Sequence, residues 1–260
     1  MLEADTARRL AGLVFDLDGT VLTHGALTVP ALAALYSLRA AGLRLIACTG
    51  RPASWGAVLA RQWPIDIAVT ENGALSFVRK EGGLTVLDRK SRDARARDRG
   101  ELERIAAALA SEFPDVPPTD DAPERRTDFA FDVGEHARVS AERRSALHTR
   151  ARALGARTFE SAIHLHVTLD AADKASGTLF ALAQRFGEDA TSALGRYAFV
   201  GDSLNDAACF SAFRTTIGVA NVRSFVSALS CPPRYVTDGS EGQGFAELAA
   251  HLTRMRTDAA

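Results

Sequence analysis

The chain alternates short apolar runs with amphipathic stretches. Leu13-Val14-Phe15 is a continuous apolar run that ends in acid and glycine, the pattern of a strand buried on both faces. Pro30 opens a stretch to Ala41 in which Leu32, Leu35 and Leu38 recur at helical spacing, and Gly42 follows as a stop. Leu43–Ala47 predicts a second strand, Ala53–Arg61 a second helix and Ile65–Val69 a third strand. The rhythm returns late in the chain. A helix is expected from Lys174 to about Phe186, a strand at Tyr197–Val200 and helical structure from Asn205 to Ala212. Short strands follow at Ile217–Val219 and Arg234–Val236, with helices at Val222–Leu229 and Phe245–Leu252. Strands that alternate with helices make an α/β core around a parallel sheet.

The middle reads differently. From about Leu75 to His166 the pattern is irregular and richer in charge. A helix ends near Phe113, prolines mark a loop at 114–123, and a second helix spans Ala141–Leu154. Phe129–Val133 and Ile163–Val167 alternate apolar and polar positions, as strands with one exposed face do. The expectation is an α+β insert at 75–167 between two core segments, 1–74 and 168–260.

Composition narrows the class. Apolar residues are 47% and charged residues 24% of 260, so the chain is not disordered, and 3 Cys in no paired spacing exclude a disulfide scaffold. A net charge of −1, and mixed signs along Arg89–Arg104, argue against a nucleic-acid partner. No apolar run is long enough to span a bilayer, and Met1–Arg9 lacks the apolar core of a secretory signal. With three unpaired-looking cysteines, a reducing cytoplasm is the expected setting.

Chemistry collects at the expected strand ends. Asp16 and Asp18 follow the first strand, Thr49-Gly50-Arg51 the second, and Gly201-Asp202-Ser203-Leu204-Asn205-Asp206 a later one, while Lys174 opens a helix. Ligands of open α/β sheets bind beyond the carboxyl ends of the strands. A nucleophilic carboxylate, a second acid, a hydroxyl, an ammonium and an acid pair suit phosphoryl transfer with a hard divalent cation. Hydrolysis of a phosphate monoester needs an acceleration of up to about 10²¹-fold, which requires such groups to act as a unit.

Other residues carry open readings. Cys48 is not followed by Arg six positions on, since position 54 is Ser54, so a cysteine phosphatase is disfavoured and Cys48, Cys209 and Cys231 read as small core residues. His164 and His166 share one strand face but lack a third ligand for zinc. Arg125 and Arg126 either clamp a second anionic group or are plain surface arginines. Arg51, directly at a strand end, is the better candidate for such a clamp.

In this order, Asp16-Leu17-Asp18-Gly19-Thr20, Thr49, Lys174 and Gly201–Asp206 resemble the four motifs of the haloacid-dehalogenase-like (HAD) phosphatase superfamily. The resemblance covers about residues 11–74 and 168–255. It implies a Rossmann-like core, with Asp16 as nucleophile, Asp18 as acid and base, and Thr49 and Lys174 holding the phosphoryl oxygens. It implies Mg²⁺ held by Asp16, the Asp18 main-chain carbonyl and Asp202, with Asp206 and Asn205 orienting metal waters and Lys174. Gly50, Arg51, Asn72 and Asn205 are the expected substrate contacts. From Thr49 to Lys174 there are 125 positions. That insert resembles the α+β cap of the Cof-type, or type IIB, branch, and Glu71-Asn72-Gly73-Ala74 resembles its hinge loop. Residues 233–245 look like the tail of the mannosyl-3-phosphoglycerate and sucrose-phosphate phosphatase group. The resemblance implies a phosphomonoesterase acting on a small phosphorylated metabolite, such as a phosphosugar. A phosphomutase, or a non-catalytic binding protein that keeps the fold, stays open.

Overall fold

The computed structural model describes residues 2–81, 83–161 and 163–257, so the outer ends of the expected core at 1 and 260 lie outside it. One sheet of eight strands organises the chain. Its strands are β1 (Gly12–Phe15), β4 (Arg44–Cys48), β5 (Ile67–Thr70), β6 (Leu75–Lys80), β7 (Gly83–Asp88), β11 (Tyr197–Gly201), β12 (Thr215–Gly218) and β13 (Tyr235–Val236). They lie in the order β13-β12-β11-β1-β4-β5-β6-β7, parallel from β13 to β5 and antiparallel at β6 and β7. A two-stranded flap, β2 (Leu22–Thr23) with β3 (Ala26–Leu27), follows β1.

Alternation along each strand builds two cores. Leu13, Phe15, Leu45 and Val200 face one way, against Leu35 and Leu38 of α2 (Val29–Ala40), Leu59 of α3 (Ala53–Gln62) and Phe245, Leu248 and Leu252 of α9 (Glu241–Thr257). Val14, Ile46 and Phe199 face the other way, against Ala181 and Leu182 of α6 (Lys174–Phe186), Ala193 of α7 (Ala190–Arg196) and Phe210 of α8 (Ala207–Ala212). Burial on both faces is why β1 and β11 read as unbroken apolar runs. A short N-terminal helix, α1 (Ala4–Arg9), packs on α9.

The insert forms its own layer pair. Strands β8 (Asp128–Asp132), β9 (Arg157–Glu160) and β10 (His164–Thr168) make an antiparallel sheet in the order β8-β10-β9. One face, with Phe131, Leu165 and Val167, packs on Leu102, Ile105 and Leu109 of α4 (Arg92–Glu112) and Leu147 of α5 (Ala141–Ala153). The intervening residues, including Asp128, His164 and His166, point to the opposite face.

Several elements differ from the sequence reading. Leu75–Lys80 and Gly83–Asp88 pair onto the central sheet, so the separate layer begins after Asp88 rather than at residue 75. Antiparallel strands at a sheet edge expose one side, and their mixed polarity resembles an insert. The stretch expected as a helix at 222–229 is two 3₁₀ turns, Ala220–Ser224 and Val226–Ala228. The helices α1 and α7, each under eight residues, gave no clear periodic signal. Among the described residues, no helix is long and apolar enough to cross a membrane.

Candidate active site

Parallel strands end on one edge, and this brings distant residues together. Asp16 follows β1, Thr49 follows β4, Glu71 and Asn72 follow β5, and Asp202 follows β11. Asp16, Asp202 and Asp206 are buried, and each offers a carboxylate oxygen within 4.8 Å of the others. Lys174, the first residue of α6, is 1% exposed, and its Nζ lies 2.9 Å from Asp16 Oδ1 and 2.7 Å from Asp206 Oδ1. The other Asp206 oxygen accepts the main-chain N–H groups of Asp202 and Ser203.

Three carboxylates face one ammonium, so the cluster has excess negative charge. Burial pushes the Asp16 carboxyl up to about 7, with Lys174 opposing and Asp206 and Asp18 adding to the rise. Burial likewise pushes Asp202 up to about 8, reinforced by Asp206 and Asp16. Burial works against the Lys174 ammonium, but Asp16 and Asp206 outweigh it and hold the proton more firmly than in water. Such a set of hard oxygen donors, short of positive charge, fits a divalent cation.

The sequence motif packs around that cluster. Gly19 adopts φ +74°, and a Cβ there would meet Asp202 Oδ2 at 2.5 Å, so only glycine lets the loop pass. Asp202 accepts from Thr20 Oγ1 at 3.0 Å and from Asn221 Nδ2 at 2.9 Å. Asn221 also donates to Gly19 O and accepts from Glu241 N. The sequence reading includes Thr20 in the first motif without giving it a role, and does not include Asn221. They contact Asp202 across 182 and 19 positions, and no local pattern announces that.

The Asp18 carboxylate lies outside the acidic cluster and faces Arg51, whose Nε donates to it at 2.8 Å. The Arg51 guanidinium stacks on Trp55, 3.9 Å from the ring centroid. Thr49 is fully buried, and its hydroxyl accepts the Arg51 N–H. Asn72 lies behind Gly50, with neither side-chain amide atom hydrogen-bonded. Asn205 sits at the cavity wall and accepts from the Ser203 hydroxyl. Cys48 is buried beneath Lys174, and burial pushes its thiol up to about 12, so it stays protonated and inert.

A cavity of about 550 Å³ opens above Asp16 between the sheet edge and the insert. Asp16, Asp18, Gly50, Arg51, Trp55 and Asp202 form its floor and His24 borders the flap side. Asp120, Asp121, Glu135, His136, His164 and His166 line the insert side. The two histidines sit there because strand alternation turns them away from α4 and α5. His166 Nδ1 is 2.9 Å from Asp128, and His164 Nε2 is 2.7 Å from Glu135. Burial lowers the His166 pKa, partly offset by Asp128. Arg125 is buried rather than on the surface, held by Asp121 and Asp128, and Arg126 is exposed.

A parallel α/β sheet, an acidic cluster at its carboxyl edge and an α+β insert over that edge are the architecture of HAD-superfamily phosphatases. The model of the sucrose-6F-phosphate phosphohydrolase family matches residues 10–251, and the chain belongs to that family. It is a phosphoric monoester hydrolase of the HAD type. Solved structures share the fold. Protein 0175 of Thermoplasma acidophilum superposes with a TM-score of 0.71 at 18% identity, covering 94% of this chain and 98% of that one. The sucrose-phosphatase of Synechocystis sp., solved with sucrose and phosphate, gives 0.66 at 17% identity, with 94% and 98% covered. A sugar phosphatase of HAD subclass IIB gives 0.65 at 18% identity, with 92% and 98% covered. A comparison with curated proteins returns no match.

Proposed function

We propose that the chain is a Mg²⁺-dependent phosphomonoesterase that hydrolyses a neutral sugar monophosphate through an aspartyl phosphate on Asp16. The observation that carries this reading is the placement of Asp16: one carboxylate at once at the cavity floor, against Lys174 and within the acidic cluster. Asp16, Asp202 and the Asp18 main chain would hold the cation, with Asp206 behind them. When bound, it would offset charge on the phosphoryl oxygens.

The chain's own groups supply the rest. Asp16 attacks phosphorus, the P–O bond to the sugar breaks, and Asp18 gives a proton to the departing sugar oxygen. Asp18 then takes a proton from water, which attacks the acyl phosphate and frees Asp16 and inorganic phosphate. Lys174 opposes protonation of Asp16 and orients its carboxylate. Arg51 pairs with Asp18 as the ionised carboxylate, so this pair opens when Asp18 carries the proton it gives to the sugar oxygen.

The insert wall supports a neutral leaving group. It carries Asp120, Asp121 and Glu135, and its buried cation Arg125 is already paired with Asp121 and Asp128. Carboxylates and neutral imidazoles accept from sugar hydroxyls, and the three carboxylates repel a second anionic group. This favours a sugar phosphate over a phosphoglycerate, and accords with the substrate in the family's name. The cavity falls within the range of about 300–1,000 Å³ usual for small-molecule sites.

The test is a Mg²⁺ assay of phosphate release on sucrose-6F-phosphate, hexose 6-phosphates, trehalose-6-phosphate and mannosyl-3-phosphoglycerate. The neutral sugar phosphates should turn over, and Asp16→Asn should lower the rate by at least about 10³-fold. Isomerised hexose phosphate without free phosphate would mean a mutase, and full activity in Asp16→Asn would end the reading.

A further inference from the structure

The loop after β5 is strained and lies between the two layers of the molecule. Glu71, Asn72 and Gly73 adopt φ of +48°, +53° and +104° in succession. Left-handed backbone is tolerated by Asn72 but unfavourable for Glu71, where it persists only if surrounding contacts enforce it. Gly73 packs so tightly that a Cβ would meet Asp173 O at 2.0 Å, which pins the loop to the start of α6. The loop is also tied to the Thr49–Arg51 segment, because Asn72 N donates to Thr49 O and Glu71 N to Arg51 O.

The Glu71 side chain is buried, and its carboxylate joins both layers. From the core it accepts the N–H of Ala53, first residue of α3, at 2.8 Å. From the insert it accepts Arg126 N at 3.0 Å, Thr127 N at 2.6 Å and Thr127 Oγ1 at 2.5 Å. Two neighbouring contacts run across the same seam. Arg125 Nη1 donates to Gly50 O at 3.0 Å, and Ser54 donates to Glu124. Glu71 therefore has one donor from its own layer, and the others exist only while residues 124–127 are docked.

Building on the phosphatase reading, we propose that Glu71 is a positioning residue, a latch whose carboxylate docks the insert on the core and sets the Thr49-Gly50-Arg51 segment in its working geometry. Glu71 does not line the cavity, so it acts through that segment and not on the substrate. Its bonds to Arg126 and Thr127 hold the strained backbone of Glu71 in place, and the 71–72 backbone holds Thr49 and Arg51. Undocking the insert removes both supports together.

The test uses Glu71→Gln, which keeps size but places an amide N–H against main-chain donors, and Thr127→Val, which removes only the hydroxyl. Amide hydrogen exchange and steady-state kinetics are measured on the full chain. Exchange at Arg126 and Thr127 should rise about tenfold or more in Glu71→Gln, and less in Thr127→Val, with β1 and β11 unchanged. On a sugar phosphate that the wild type hydrolyses, kcat/KM should fall about tenfold in Glu71→Gln, chiefly through KM. Uniform acceleration across β1 and β11 would reduce Glu71 to a fold-stabilising residue and overturn the proposal. So would unchanged exchange at 126–127 in Glu71→Gln. The exchange arm needs no substrate, so it judges the latch even if the wild type releases no phosphate, an outcome that would count against the phosphatase reading instead.

Discussion

Replacing Lys174 with Met removes one charge from a nearly sealed site and leaves two carboxylates facing each other. The Lys174 and Asp206 side chains are 0% exposed and Asp16, at the cavity floor, is 4% exposed, so water replaces the lost partner only in part. Breaking a buried ion pair from one side costs about 3–5 kcal/mol. At about 2–4 °C per kcal/mol for a chain of this size, the melting temperature should fall by about 6–20 °C at pH 8 with divalent cations chelated. The loss should shrink toward pH 5.5, because a proton on Asp16 then takes over part of the ammonium's task. Excess Mg²⁺ should narrow the gap at pH 8 by supplying positive charge to the same carboxylates. Scanning calorimetry at both pH values, with chelator and with Mg²⁺, gives all four comparisons. A variant that melts within about 2 °C of the wild type at pH 8 in chelator would refute the reasoning. A larger loss at pH 5.5 than at pH 8 would do the same.

Three further outcomes follow from the same geometry. Gly19→Ala should strain the loop by about 1–2 kcal/mol and push Asp202 aside, so cation affinity measured by calorimetry should drop more than stability does. Asp16 and Asp202 have raised pKa values in the fold, so the native state holds protons that the unfolded chain has released; the contribution of this pair to metal-free stability, read in urea as the difference from an Asp16→Asn, Asp202→Asn double variant, should therefore fall as pH rises from about 4 to 8, and saturating Mg²⁺ should flatten that slope. Asn221→Ala frees one oxygen of Asp202 from its clamp, and should raise the Mg²⁺ concentration needed for half-maximal activity without abolishing turnover.

The core and its acids were legible for a simple reason. A parallel strand buried on both faces is an apolar run, and where it leaves the sheet the next residues meet solvent and ligand. Asp16 after Phe15 and Asp202 after Gly201 are thus visible in sequence as acids terminating apolar runs. Lys174 was legible only through its place in the ordered motifs, since nothing local distinguishes a buried lysine at a helix start from an exposed one. The side-chain partners were not legible. Thr20, Asn221 and the Glu71–Thr127 bonds depend on how distant loops meet after folding, over as many as 182 positions. Arg125 misled for the same reason: as a sequence position it reads as a clamp or a surface arginine, and only the docking of residues 121–128 against Gly50 buries it. The edge strands β6 and β7 were assigned to the insert because their exposed residues, Arg79 and Lys80 among them, break the buried pattern of the parallel strands.

The most direct measurement is a crystal structure of the chain grown with Mg²⁺ and beryllium fluoride, a mimic of the phosphorylated carboxylate. The expected result is a fluoroberyllate on an Asp16 oxygen, with Lys174 beside it and one cation bound by Asp16 and Asp202. An adduct on another residue, or a cation seated away from these carboxylates while Asp16 stays bare, would contradict the account.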